Sequence, residues 1–259
     1  MYKYSLWLLK LGTILNIYFF YQTLKPPLLL VETHLLIPAQ ILFIVSAYRC
    51  FFPVSYATNA VLHDSFLSSI FFTRLLATIV EVAYIYQFSF IIRLFNQFQN
   101  PLIDILSWLM VIQVCISQWF VWCAILTGRF RFYFYEEVGW GIIFSLNTIA
   151  NIILYLNRDL INGQELLIFI NILFGFLYLP WQLFHLKSLR LRAINQEVIK
   201  NLHAPIVWPQ IMRGLHKSIN LKIPTINSGD WGGVIGMTWM VAYWATIIPC
   251  WLYLIIRTI

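Results

Sequence analysis

Arg74 and Glu81 are the two charged side chains within an otherwise apolar run, FLSSIFFTRLLATIVEVAYIYQ. Seven positions apart, they fall on one face of an α-helix, about 10 Å from each other along its axis. Thr78 and Tyr84 share that face, which makes a polar stripe of Arg74, Thr78, Glu81 and Tyr84. A carboxylate in the middle of an apolar helix must be protonated, paired or wetted by a cavity. The functional form of that requirement is a proton or cation site, or a general acid or base. Its structural form is a buried Arg–Glu or Glu–Asn tie between helices. A second stripe, Asn171, Gly175, Tyr178, Gln182 and His185, alternates spacings of four and three and so also occupies one helical face. Such a face lines a bundle interior or a water-filled space, or it joins helices by hydrogen bonds with Gly175 permitting close approach. Glu136 and Glu137 follow the run RFRFYFY and mark the expected start of a helix on which Glu136, Trp140, Asn147 and Asn151 share a face. Two carboxylates there suit the helix dipole, with Arg129 and Arg131 to neutralise them.

The elements that hold these residues follow from composition. Hydrophobic residues make up 61% of the chain and charged residues 10%, against roughly 25% charged in soluble domains, and the mean hydropathy is +0.77. Apolar runs of bilayer-spanning length recur near 5–24, 34–52, 66–95, 101–126, 137–156, 164–184 and 234–256. The expected fold is therefore all-α: a polytopic transmembrane helix bundle of about seven spans, forming one membrane domain over residues 1–259. Aromatic residues at 18%, with 11 Trp, suit the two headgroup belts. Lys25-Pro26-Pro27, Asn100-Pro101 and the stretch from Asn157-Arg158-Asp159 to Asn162-Gly163 break the spans, and the third and fourth are expected to be antiparallel neighbours. Lys10 inside the first apolar run, with no small-residue cleavage site, marks a retained span.

The polar stretch 185–230 is expected to be a basic loop on the inner side, with short helices of its own and Trp208, Pro209 and Ile211 at the interface. It carries Lys187, Arg190, Arg192, Lys200, Arg213, Lys217 and Lys222 against Glu197 and Asp230. Lys3, Arg129 and Arg131 then lie on the same side, and Lys25, Arg93, Arg158 and Arg257 on the other, which sets the N-terminus in and the C-terminus out. That topology gathers His63, Asp64, Arg74, Glu136, Glu137 and His185 toward the inner ends of the spans. Converging, such a set would suit a divalent cation, a phosphate at Arg74, or acid/base catalysis. No H-x-x-x-H, H-E-x-x-H or D-x-x-D spacing occurs, so neither a metal site nor a cofactor is assigned. Cys50, Cys115, Cys123 and Cys250 form no C-x-x-C pair and are expected to be packing residues.

Several families are excluded by single positions. EEVGWG resembles the opening of the EExxxR signature of intramembrane CAAX-type proteases, but Gly141 stands where Arg is needed. Five His are too few for the three histidine boxes of membrane desaturases. The seventh run lacks the Lys that microbial rhodopsins use to bind retinal. The net charge of +7 is distributed as the positive-inside rule predicts, so nucleic acid is not an expected partner. Membrane lipid is. Three functions fit: an interior polar site of Arg74, Thr78, Glu81 and Tyr84, approached by Asn171, Gln182 and His185, that binds or passes a proton, small ion or polar headgroup; an enzyme acting on a lipid or isoprenoid at the inner interface through His63, Glu136, Glu137 and His185; or an accessory subunit of a larger membrane complex. Whether the chain is an enzyme, the sequence leaves open.

Overall fold

A computed structural model describes residues 2–157, 164–200 and 205–259. The expected polar reversal around Arg158, Asp159 and Asn162-Gly163, and the side chains of Lys3, Glu197 and Lys200, lie outside the described residues. The helices are α1 (Tyr2–Thr23), α2 (Thr33–Phe51), α3 (Ile70–Phe95), α4 (Pro101–Thr127), α5 (Phe130–Leu156), α6 (Gln164–Lys200), α7 (Trp208–Asn220), α8 (Gly233–Met240) and α9 (Ile247–Thr258). A π-helical segment, Val241–Thr246, joins α8 to α9 in one continuous run. Helices α2 to α6 and the run from α8 to α9 are long and apolar enough to cross a membrane, which makes this a multi-pass integral membrane protein. The remaining expected span, α1, has 22 residues but carries Lys10 and Asn16, which make it less apolar. Large apolar side chains such as Trp7, Leu177 and Phe184 stand exposed on the helices, a surface suited to hydrocarbon rather than water.

The breaks are built by the residues that signal them. Asn100 caps α4 by accepting from the Leu102 amide (3.0 Å), with Pro101 in the first turn. Gly128, at φ 68°, ends α4 in the left-handed conformation that glycine adopts without strain.

Two expectations about helix ends are corrected. Helix α5 begins at Phe130 rather than at Glu137, because Gly128 is the true break and the aromatic run after it continues the helix. Glu136 and Glu137 thus lie well inside α5, beyond the first-turn amides that a capping carboxylate would serve. Helix α6 does not end near Phe184 but runs on through the basic residues to Lys200. Leu189 and Ala193, one turn apart, are buried and keep its apolar stripe going. Among its described residues the stretch 185–230 is largely helical. Within it, α7 places Trp208, Ile211, Met212, Leu215 and Ile219 along one side and Arg213, His216, Lys217 and Asn220 along the other.

The chain divides into two compact units, Met1–Tyr84 with Leu215–Ile259, and Ile85–Gly214. In the first, α1 packs on α2 and on the π segment, where Gly12 lies so close to Ala245 that a Cβ would come within 2.4 Å of its side chain. Phe19 stacks on Tyr253 (4.3 Å) and tilts against Phe43 (5.4 Å). Three short strands, β1 (Val54–Ser55), β2 (Ala60–Val61) and β3 (Ile223–Pro224), pair in that order, β1 with β2 antiparallel and β2 with β3 parallel. They tie the segment between α2 and α3 to the segment between α7 and α8.

In the second unit, α5 packs between α4 and α6. The end of α3 meets the start of α4, as expected of neighbouring spans: Asn96 donates to Asp104 (3.0 Å) and Arg93 to Ser107 (3.1 Å). Gly175 of α6 lies against Thr148 of α5, and a Cβ there would fall 2.0 Å from its hydroxyl oxygen. This is the close approach expected of the α6 stripe. All four cysteines are free thiols; Cys50 is buried as expected, whereas Cys115 and Cys250 are exposed on their helices.

Candidate functional site

Arg74 and Glu81 pair with each other. The helix sets their backbones about 10 Å apart, and the extended arginine closes the gap. Nη2 donates to Glu81 Oε2 at 2.6 Å and Nη1 to Oε1 at 3.4 Å, with the two side chains 3% and 7% exposed. Charge-assisted bonds of this kind are the strong ones, and burial spares them the screening that weakens surface pairs. One turn on, the fully buried Tyr84 accepts a hydrogen bond at 2.9 Å from Tyr243, which the π segment supplies. Thr78 lies half-buried between them on the same face.

Four residues of this cluster escape the sequence reading: Arg49, Tyr56, Tyr243 and Trp244. Arg49, in the last turn of α2, is 4% exposed. Its Nη1 donates to the Tyr56 hydroxyl at 2.7 Å, and its guanidinium lies 5.0 Å from the Tyr56 ring and 4.9 Å from that of Trp244. Arg74 lies 5.6 Å from the same Tyr56 ring. Trp244 packs edge-on to Tyr243 at 4.6 Å. The contacts form a chain from Glu81 through Arg74, Tyr56, Arg49, Trp244 and Tyr243 to Tyr84, which lies one helical turn from Glu81. Two guanidinium groups and one carboxylate stand within it.

His63 and Asp64 belong to the same unit but have other company. Lys10 of α1 donates to the Phe51 carbonyl (2.5 Å) and to His63 Nε2 (2.7 Å), so the neutral imidazole accepts through Nε2. That contact satisfies the lysine inside the first apolar run. Burial, and then the Lys10 charge, push the His63 pKa below its ordinary value, partly opposed by a hydrogen bond with the Phe51 backbone. Asp64 is exposed.

The other expected residues lie in the second unit, where Glu137, Gln182 and His185 come together. Gln182 Nε2 donates to the Glu137 carbonyl (2.7 Å) and to its Oε2 (2.9 Å), while Gln182 Oε1 is buried without a partner. His185 Nε2 stands 3.8 Å from Glu137 Oε1, and its ring stacks on Trp181 at 5.2 Å. Glu136 is buried on the face expected for it, together with Trp140, Asn147 and Asn151. Asn171 is half-buried, further toward the start of α6. Among the described residues, no three His, Cys, Asp or Glu side chains gather at metal-binding distance. Comparison of the chain with protein-family models, with curated proteins and with solved structures finds no match.

Proposed function

We propose that this multi-pass membrane protein binds or passes a proton, small ion or polar headgroup at an interior polar site centred on Arg74 and Glu81. One observation carries the reading: a bidentate Arg–Glu pair, bounded by a second arginine and three tyrosines, is buried within helices of membrane-spanning length. Charged groups at such depth are expensive, on the order of 2.5–3.5 kcal/mol each on insertion scales, and mark ion paths and binding sites by default. A purely structural tie is the competing account, and it is separable by experiment.

Purified protein is reconstituted in liposomes with a trapped pH dye and assayed under imposed H⁺, Na⁺, K⁺ and Cl⁻ gradients. Lipid headgroup binding is followed in parallel by native mass spectrometry. The wild type is expected to act in one of these assays. Glu81→Gln and the doubly neutral Arg74→Gln/Glu81→Gln are expected to elute as folded protein yet to have lost any ion or proton movement, and to differ from the wild type in headgroup binding. A folded double variant with normal activity would make the pair a structural tie and overturn the reading.

The Glu137–Gln182–His185 group favours a second reading, an enzyme acting on a lipid or isoprenoid. A carboxylate beside an imidazole is an arrangement that can orient an acid/base histidine. Turnover of a lipid substrate by the wild type, lost in His185→Gln and lowered in Gln182→Ala, would support it. Unchanged turnover in His185→Gln would remove it.

A further inference from the structure

Among the described residues, Arg49 is the member of the first-unit cluster that lacks a counter-charge. It is 4% exposed, yet of its five N–H donors only one, on Nη1, meets an acceptor there, the neutral Tyr56 hydroxyl. Its Nε is buried with no partner. The carboxylate of the cluster, Glu81, is gripped by Arg74 through both oxygens. Aromatic faces on Tyr56 and Trp244 and the negative end of α2 ease the burial of the Arg49 charge, but they supply no anion. The cluster of Arg49, Arg74 and Glu81 therefore carries one excess positive charge in a buried setting.

From this we infer that Arg49 is the recognition group of an anion site, and that its ligand is a phosphate oxyanion carrying about one negative charge. The inference rests on the interior-site reading above and names the chemical class that site accepts. A guanidinium offers an oxyanion two parallel donors from one edge. Tyr56 occupies Nη1, so the edge that remains is the one containing Nε. One negative charge neutralises the cluster, whereas a dianion would reverse it. A phosphodiester headgroup and dihydrogen phosphate share this chemistry, and the Tyr56 and Trp244 rings provide apolar walls beside the fork.

The test uses the full chain in detergent. Native mass spectrometry measures retention of phosphatidylglycerol against phosphatidylcholine, and melting curves are taken with and without millimolar inorganic phosphate. One phosphatidylglycerol per chain, retained in preference to phosphatidylcholine, is expected if the phosphate comes from lipid. A phosphate-dependent rise in melting temperature is expected if it comes from solution. In either arm Arg49→Gln is expected to weaken binding at least tenfold, and Arg49→Lys, which keeps the charge and loses the fork, to fall between. Glu81→Gln removes the neighbouring negative charge and is expected to tighten binding.

Absence of both responses, or equal binding by wild type and folded Arg49→Gln, overturns the inference. Loss of transport in Glu81→Gln without Arg49-dependent binding sinks this inference and leaves the interior-site reading standing. Arg49-dependent binding alongside normal transport in Glu81→Gln does the reverse.

Discussion

Breaking the Arg74–Glu81 pair from each side gives unequal losses, and the inequality follows from its geometry. Both groups are nearly sealed, at 3% and 7% exposure, so the small values typical of surface pairs do not apply. Arg74→Gln has too short a side chain to span two helical turns and strands a buried carboxylate, which costs about 3–5 kcal/mol. Glu81→Gln strands the guanidinium instead, but the new amide oxygen still accepts from it and the Tyr56 ring still lies beside it at 5.6 Å. Its loss falls to about 2 kcal/mol. The double variant strands no charge and is expected to exceed Arg74→Gln in stability by about 2 kcal/mol, the charge-burial penalty that it avoids. The assay is denaturant or thermal unfolding of all four proteins in one detergent, read by circular dichroism as a double-mutant cycle. Additive losses, with the double variant the least stable of the four, would refute the claim that the pair is energetically coupled.

The remaining outcomes concern single contacts. The His63 pKa is depressed in the folded protein relative to its unfolded value near 6.5. The unfolded chain therefore binds more protons in that window, and stability is complete above about pH 6.5 and lost as the pH falls below it. His63→Gln is expected to flatten that part of a melting-temperature profile, Lys10→Met to reduce it, and a wild-type profile identical to that of His63→Gln would oppose the assignment. Gly175→Ala places a methyl 2.0 Å from the Thr148 hydroxyl oxygen and is expected to cost about 1–3 kcal/mol of unfolding free energy. Adding Thr148→Ala should recover part of that loss, and no recovery would mean the contact is not the cause.

The fold class was legible because repeated apolar runs of spanning length suit a bilayer and little else, and Arg74 with Glu81 was legible because a spacing of seven survives any helix boundary. Arg49 was not. At the end of an apolar run a lone arginine reads as an inner-side anchor, and nothing local shows that the β1–β2 segment folds Tyr56 back onto it. Tyr243 and Trp244 read as membrane-belt aromatics, since a π turn carries no sequence period to betray it. The early start of α5 was concealed by aromatic residues that also suit an interface. The length of α6 was readable in Leu189 and Ala193, but polarity rather than periodicity had set its end. For His63 and Asp64 the spacing was informative about neither partner: the lysine that engages His63 lies 53 positions away.

The π segment explains why these pieces form one cluster. Tyr243, Trp244 and Ala245 are consecutive and all buried. Each meets a different element: Tyr243 reaches Tyr84 of α3, Trp244 lies under Arg49 of α2, and Ala245 seats against Gly12 of α1. An α-helix presenting one stripe to a core does not bury three successive side chains against three partners. Widening the turn inserts an extra residue and re-aims the following side chains, the use to which such turns are often put at functional sites. Asn16 donates to the Trp244 carbonyl at 3.0 Å, so the widened backbone is held from α1 as well. The widened turn and the charge of Arg49 meet at Trp244, where the proposed anion would bind.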